Sequence, residues 1–400
     1  MRTVFTSRRP AAFAVAAAMV AAPLVACSAQ KATSANDDAL KVVASTTQIC
    51  DYVTQLASGG QDLAFTRTGA DGVTTELGAE AADAKAHLAL TCLLAPNASA
   101  HDHEMTASQS RALSEADLFL VNGVDLEHFL DDAVTASGFK GTMVVTSGVL
   151  TAQEVDGDAD AAAVRQEQEA ELPYKIDRGV EAVDVLPWPF APEDGEEVEF
   201  RYDPHVWTAP ANAVVQVTNI GNALTSADPD SAQTLGAHVR AYTDRLRELD
   251  EWAANSLESV PQDKRVLFTS HDAFGYLSGA YGIRFEGAAL SDFNAQQDAT
   301  AQKIQDTADA VKASGAVAIF AENSNNPRSV EKVAQLAGVT AVIGDEALYG
   351  DSLGEPGSDG ETYIGSLLHN VTNLTTVWGG EVAPIPEQLS AWTPTQTVQP

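Results

Sequence analysis

Cysteine, basic residues and long apolar runs are all scarce in this chain, and each shortage narrows its chemistry. Three cysteines among 400 residues are too few for a disulfide-dense scaffold or a four-cysteine zinc module. Lysine and arginine number 23 against 56 aspartates and glutamates, a formal net charge of −33. Such a surface repels the phosphates of nucleic acid, so no nucleic-acid partner is expected. Past the first thirty residues, no stretch supplies the roughly 20 consecutive apolar residues that a membrane span requires. The chain also lacks a G-x-x-x-x-G-K-[ST] loop for ATP and an H-E-x-x-H zinc-protease motif. What it does have is 45 % hydrophobic and 20 % charged residues, the balance of a globular protein. Its length suggests two or three domains.

Arg2, Arg8 and Arg9 precede an apolar run at residues 11–26, which has the length of a signal-peptide core. Leu24-Val25-Ala26-Cys27 closes that run and resembles a bacterial lipobox, in which cleavage precedes a cysteine that receives lipid. Residues 1–26 therefore read as a signal peptide, Cys27 as the lipidation site and residues 27–39 as a flexible tether. An ordinary secretory signal, with Cys27 incidental, is the alternative. Acyl chains on Cys27 would hold the protein at the outer membrane face, each buried CH₂ contributing about 0.8 kcal/mol. With Cys27 committed to lipid, Cys50 and Cys92 form an even pair in an oxidising compartment. Each lies near an apolar strand-like run, residues 42–45 and 88–94, so neighbouring parallel strands would bring them together. A Cys50–Cys92 disulfide is expected, two buried free thiols being the alternative.

Short aliphatic runs at residues 41–44, 88–94, 118–122 and 143–146 alternate with helical patterns, and the alternation returns at 265–269, 316–320 and 340–343. Strands spaced by helices point to βαβ units and parallel sheets. Between the two sets, Leu235, Val239, Tyr242, Leu246, Leu249, Ala253 and Leu257 recur every three or four residues, predicting one helix over residues 230–259. Asp228-Pro229 and Pro261 mark its ends. At 1.5 Å per residue, about 28 residues make a rod of roughly 42 Å, long enough to brace two domains. The expected fold is α/β, with two lobes of parallel sheet flanked by helices and joined by this linking helix. The N-terminal lobe spans 40–227, the linking helix 228–259 and the C-terminal lobe 260–400. Residues 151–203 are acidic, lack periodicity and contain Pro187, Pro189 and Pro192; they read as a long, mostly irregular insertion. A smaller insertion is expected at 59–85.

Of the eight histidines, three stand out by context. His101 follows Leu94-Ala95-Pro96-Asn97, where a strand runs out into a loop. His205 lies in Asp203-Pro204-His205-Val206-Trp207 at the entrance to a helix, and His271 follows Phe268-Thr269-Ser270 at another strand end. Side chains at the carboxyl ends of parallel strands face the crevice where open α/β sheets bind ligands. Imidazole suits zinc, and a carboxylate commonly completes a tetrahedral site.

These segments, taken together, resemble the cluster A-I metal-binding receptors, the zinc and manganese substrate-binding lipoproteins of bacterial ABC importers. The likeness runs through most of the mature chain. It rests on residues 94–101 with Glu104 and Ser108, on Asp203-Pro204-His205-Val206-Trp207, and on Ser270-His271-Asp272-Ala273-Phe274-Gly275-Tyr276. The fourth segment is Tyr349-Gly350-Asp351-Ser352-Leu353-Gly354 with His369-Asn370. The resemblance implies that His101, His205, His271 and Asp351 are the metal ligands. Two features depart from the family. The insertion before His205 contains no histidine, unlike the His-rich loop of many zinc receptors, and Ser99-Ala100 stands where Asp-Pro is usual. His103 occupies a usual aromatic position and is the alternative or auxiliary ligand of its segment. His87, His128, His238 and His369 match no ligand position, and Glu322 is expected to hydrogen-bond in the cleft and not to ligate.

The resemblance further implies a monomeric, lipid-anchored receptor on the extracytoplasmic face that delivers its ion to a membrane permease driven by a separate ATPase. Three imidazoles and one carboxylate favour Zn²⁺ as cargo, with Mn²⁺ as the alternative. Affinity is expected to fall as pH drops through about 6.5, the ordinary histidine value, and the linking helix to restrict lobe movement on release. A surface adhesin or structural lipoprotein is a competing class. A zinc hydrolase is another, but four protein ligands leave no open position for water, so no enzyme activity is expected.

Overall fold

The computed structural model describes residues 39–59, 62–80, 83–101, 103–127, 130–157, 159–190, 200–286 and 301–399. The expected signal peptide, Cys27, His128 and all of the tether except Ala39 lie outside the described residues. In the N-terminal half the chain runs through β1 (Leu40–Ala44), α1 (Thr47–Ala57), β2 (Leu63–Thr68), β3 (Thr74–Gly78) and β4 (Ala86–Cys92). It continues through α2 (Ala107–Ser114), β5 (Leu118–Val121), α3 (Leu130–Ser137), β6 (Thr142–Val145), α4 (Ala152–Asp156), α5 (Ala159–Ala170) and β7 (Lys175–Asp177). These strands form one sheet in the order β3-β2-β4-β1-β5-β6-β7, parallel throughout except for the antiparallel edge strand β3. The all-buried runs Leu118–Val121 and Val42 to Ala44 are what a sheet covered on both faces requires. The chain leaves β1 toward one side of the sheet and leaves β4 toward the other, so a crevice opens at their carboxyl ends.

Two long helices follow, α6 (Pro210–Ala227) and α7 (Ala232–Glu258). Pro210 sits in the first turn of α6, where its missing N–H costs nothing. The periodic apolar residues of α7 face inward as expected: Leu235, Tyr242, Leu246, Leu249, Ala253 and Leu257 are all buried. Its 27 residues give a rod of about 40 Å. The C-terminal half then adds β8 (Val266–Leu267), α8 (Gly275–Tyr281), β9 (Arg284–Phe285), α9 (Ala301–Ser314) and β10 (Ala318–Phe320). It ends with α10 (Arg328–Ala337), β11 (Thr340–Val342) and α11 (Tyr363–Val377). Its strands are shorter than the apolar runs suggested, and they lie parallel in the order β9-β8-β10-β11, β8 being joined to β10 through a Thr269–Phe320 bridge.

Each half has an outer core of its own, around Phe119 and Phe139 in the first and around Phe268 and Ile319 in the second. A third, larger core is shared: Tyr52, Val217, Leu246, Phe274, Phe320 and Tyr363 belong to one continuous cluster. The α7 rod runs through this shared core.

The two segments expected to be insertions carry regular elements. More than half of the described residues in 151–203 are irregular, and the others form α4, α5 and strand β7, which extends the sheet beside β6. The two helices bury almost nothing and so lack an apolar stripe. Ala, Gln and Glu favour α5 intrinsically, and Arg178 ties it to α4 by bonding Glu154 Oε1 at 2.6 Å and Glu169 Oε1 at 2.5 Å. Residues 59–85 likewise carry β2 and β3, and β2 pairs along β4 from Leu63–Ala86 to Thr68–Thr91 and makes the sheet wider.

Candidate metal centre

Four segments distant in the chain deliver four donors to one point. β4 ends at Cys92, and the loop beyond it turns at Asn97, whose left-handed backbone (φ 58°) suits asparagine. Asn97 N–H donates to Leu353 O at 3.0 Å, and the loop then presents His101. His205 stands just before a short helical turn, Val206–Thr208, that runs into α6. His271 follows the Thr269 bridge at the end of the β8 strand run, and Asp351 lies in the loop between β11 and α11. His205 and Asp351 are buried, while the His101 and His271 side chains are each 12 % exposed.

The ring nitrogens converge. His101 Nε2 lies 3.1 Å from His205 Nε2, and His205 Nε2 lies 3.3 Å from His271 Nε2. Asp351 Oδ1 is 3.1 Å from His271 Nε2 and 3.4 Å from His205 Nε2, while its Oδ2 is 3.4 Å from His101 Nε2. One donor atom from each of the four residues lies within 4.8 Å of every other. A tetrahedron with metal–ligand bonds of 2.0–2.1 Å has edges of about 3.3–3.4 Å, so the spacing suits a small cation at the centre.

Supporting contacts aim these donors. Asp203 Oδ1 accepts both the His205 backbone N–H at 2.9 Å and its ring Nδ1–H at 2.8 Å. With the proton held on Nδ1, the lone pair of the neutral ring sits on Nε2 and points to the centre. Gly275 makes room for that carboxylate, since a Cβ there would lie 2.1 Å from Asp203 Oδ2. Asn122 Nδ2 donates to Pro204 O at 2.9 Å, and Tyr276 Oη donates to Asp203 O at 2.9 Å, fixing the segment from both sides. Gln48 Nε2 donates to the carbonyls of Gly350 and Asp351, and Trp207 Nε1 donates to Gly350 O at 2.9 Å, so first-half residues hold the Asp351 loop. Glu322 Oε1 accepts the Asp351 N–H, a very short contact that a side chain at Gly350 would obstruct. Aromatic rings close over the histidines: the Phe200 centroid is 5.4 Å from His101, and Trp207 and Trp188 lie 5.5 and 6.2 Å from His205.

The electrostatics follow. Burial disfavours the charged form of His205, but the Asp203 and Asp351 carboxylates outweigh it and raise its pKa to about 9. Burial opposes His271 in the same way, and the charges of Asp351 and Glu322 lift it well above the usual imidazole range. For Asp351, burial would raise the pKa, yet the His271 and His101 rings hold it well below the usual carboxylate range. Burial pushes Glu322 upward. The ordinary histidine value near 6.5 therefore does not describe His205 and His271, because these two metal-free imidazoles keep their protons to higher pH.

All four residues assigned through the resemblance come together, and His103 lies outside the group. His238 Nδ1 bonds Leu56 O at 2.7 Å, and His369 is buried between Asp359 and Ala347 O. Glu322 hydrogen-bonds to the Asp351 segment without joining the four donors. Cys50 and Cys92 form the expected disulfide, with Cα atoms 5.6 Å apart. The sequence reading gave no supporting role to Asp203, Ser99, Gln48, Phe200 or Trp188. A carboxylate two residues before His205 was the one available signal for Asp203. Nothing in residues 151–203 signalled that their aromatics cover the site.

Comparison with known proteins gives the same direction. The family described as ZnuA, zinc-uptake complex component A, periplasmic, matches residues 42–377. The manganese-binding lipoprotein MntA of Bacillus subtilis is 26% identical over 355 residues, 88% of this chain and 94% of that protein. The iron ABC transporter substrate-binding lipoprotein MtsA of Streptococcus pyogenes serotype M1 is 25% identical over 353 residues, 88% of this chain and 93% of that one. In fold, the periplasmic zinc-binding protein TroA from Treponema pallidum is similar with a TM-score of 0.59 at 23% identity, covering 84% of this chain and 98% of that one. A match that begins in β1 and ends with α11, taking in all four donor segments, places this chain in the family of periplasmic zinc-uptake component A proteins.

Proposed function

We propose that this chain is an extracytoplasmic receptor that captures one divalent transition-metal ion, Zn²⁺ by preference, and hands it to an ABC permease powered by a separate ATPase. The observation that carries this reading is the tetrahedral-edge spacing of His101, His205, His271 and Asp351. Three imidazoles and one carboxylate are the donor set of a zinc site with every position filled by protein, which suits carriage and leaves no place for a catalytic water. Manganese is the second reading, favoured by the relative named for it.

The ligands divide between the halves, His101 and His205 preceding α7 and His271 and Asp351 following it. A bound ion would therefore tie the N-terminal lobe at 40–227 to the C-terminal lobe at 260–400 across the linking helix. The shared core and the long helix support modest lobe movement on release, with local change in the site loops. Lipid on Cys27 would keep the monomeric receptor beside its permease, a reading supported by the lipobox-like sequence and by relatives named lipoproteins.

The test is calorimetric titration of the chelator-stripped mature domain, lacking Cys27, with Zn²⁺ and with Mn²⁺ separately. One tight zinc site that disappears in His271→Ala is the expected result. Tight manganese with weak zinc would keep the receptor and change its cargo, and no tight site for either ion would overturn the reading.

A further inference from the structure

Ser99 stands where the resembled family usually carries aspartate, and its hydroxyl reaches into the centre. Ser99 Oγ donates to Asp351 Oδ2 at 2.9 Å and accepts the His101 backbone N–H at 3.2 Å. One hydroxyl thus fixes the rotation of one proposed ligand's carboxylate against the position of another's backbone. The two carboxylate oxygens are left in different situations. Oδ2 accepts the Ser99 hydroxyl and lies 3.4 Å from the His101 ring, whereas Oδ1 lies against the His271 ring at 3.1 Å and the His205 ring at 3.4 Å. Three ring nitrogens and Oδ1, the carboxylate oxygen without a hydroxyl bond, make four donors.

Donor number separates the two candidate ions. Zinc is satisfied by four ligands in a tetrahedron, whereas manganese prefers a six-coordinate, oxygen-rich shell. A carboxylate with both oxygens available would add a fifth donor and move the centre toward manganese. We propose that Ser99 sets the metal preference of this site: by hydrogen-bonding Asp351 Oδ2 it weakens that oxygen as a donor, leaves Oδ1 as the principal ligand atom of the carboxylate and favours zinc over manganese. Ser99 touches no ion in this scheme; it is a specificity-determining residue acting through Asp351.

This inference rests on the metal-receptor reading, and one experiment separates the two. Zn²⁺ and Mn²⁺ affinities are measured by competition with a chelating indicator for the wild-type mature domain, Ser99→Ala, Ser99→Gly and Ser99→Thr. The visible spectrum of the Co²⁺-loaded form reports coordination number, since four-coordinate cobalt absorbs more intensely than five- or six-coordinate cobalt. In Ser99→Ala and Ser99→Gly the zinc-to-manganese affinity ratio is expected to fall by about 10-fold or more, in keeping with the effect of contacts behind a metal ligand. The cobalt bands should weaken in parallel, and Ser99→Thr, which keeps a hydroxyl, should retain both wild-type values. An unchanged ratio and cobalt spectrum in either deletion variant that folds would overturn the role of Ser99 and leave the receptor standing. The same holds if Ser99→Thr behaves as the deletions do. A wild-type protein that binds none of the three ions would overturn the receptor itself.

Discussion

His205 and His101 offer the same ring nitrogen to the same centre, yet the protein holds them in opposite ways. The His205 ring has no exposed surface, its Nδ1 is bonded to Asp203, and its backbone is fixed through Asn122, Tyr276 and Asp203. The His101 side chain is 12 % exposed, its buried Nδ1 has no partner among the described residues, and its backbone N–H is held by Ser99 alone. One donor is built into the shared core, and the other rides on a loop. The difference suggests a division of labour in which the His205 segment supplies a preset half-site and the His101 loop completes it.

The largest effect that would test this contrast is on stability without metal. His205→Ala should lose tight zinc binding and also destabilise the metal-free fold by about 3–5 kcal/mol, because Asp203 is left buried without its partner. His101→Ala should lose binding comparably but move the metal-free melting temperature far less. Equal melting shifts in thermal denaturation of the two stripped variants would erase the distinction. Next in size, Asp203→Asn should lower zinc affinity about 10- to 100-fold while the four donors stay in place. An affinity equal to wild type in competition titration would mean that Asp203 does not orient His205.

The smallest effect per step is that of pH. As a proposed ligand His205 would bind metal as the neutral ring, and its metal-free pKa is raised to about 9 by Asp203 and Asp351 against the opposing effect of burial. Below that value the ion must displace a proton, so apparent zinc affinity should rise about tenfold per pH unit for each proton displaced. The rise should continue toward pH 9 and not level off above 6.5. Calorimetry in buffers of different ionisation enthalpy would count the released protons, and a plateau reached by pH 7 would contradict the raised His205 value.

How much of this was legible depended on whether the signal was periodic or local. The α7 helix could be read because one face of it meets the core, so its apolar residues repeat every three or four positions. The strand ends bearing His101 and His271 were marked by buried aliphatic runs, and the Cys50–Cys92 pairing by the parallel neighbours β1 and β4. By contrast, α5 left no stripe because almost none of it is buried, and an arginine between two glutamates organises its surroundings. The β2 strand went unread because only its first three residues are fully buried.

Within the centre, the residue types and their order along the chain were enough to assign the four donors through family resemblance. The residues that aim them were not legible in the same way. Ser99 meets a carboxylate 252 positions away, and Gln48 holds carbonyls 302 and 303 positions away; Phe200, about a hundred residues after His101, lies against its ring. Periodicity and motif record the demands of a residue's own strand or helix, so they determined the α/β class and the linking helix, while the proposed donors came through the resemblance. Hydrogen bonds between distant segments depend on distances of a few tenths of an ångström, and only packing of the two halves around a shared core set those distances.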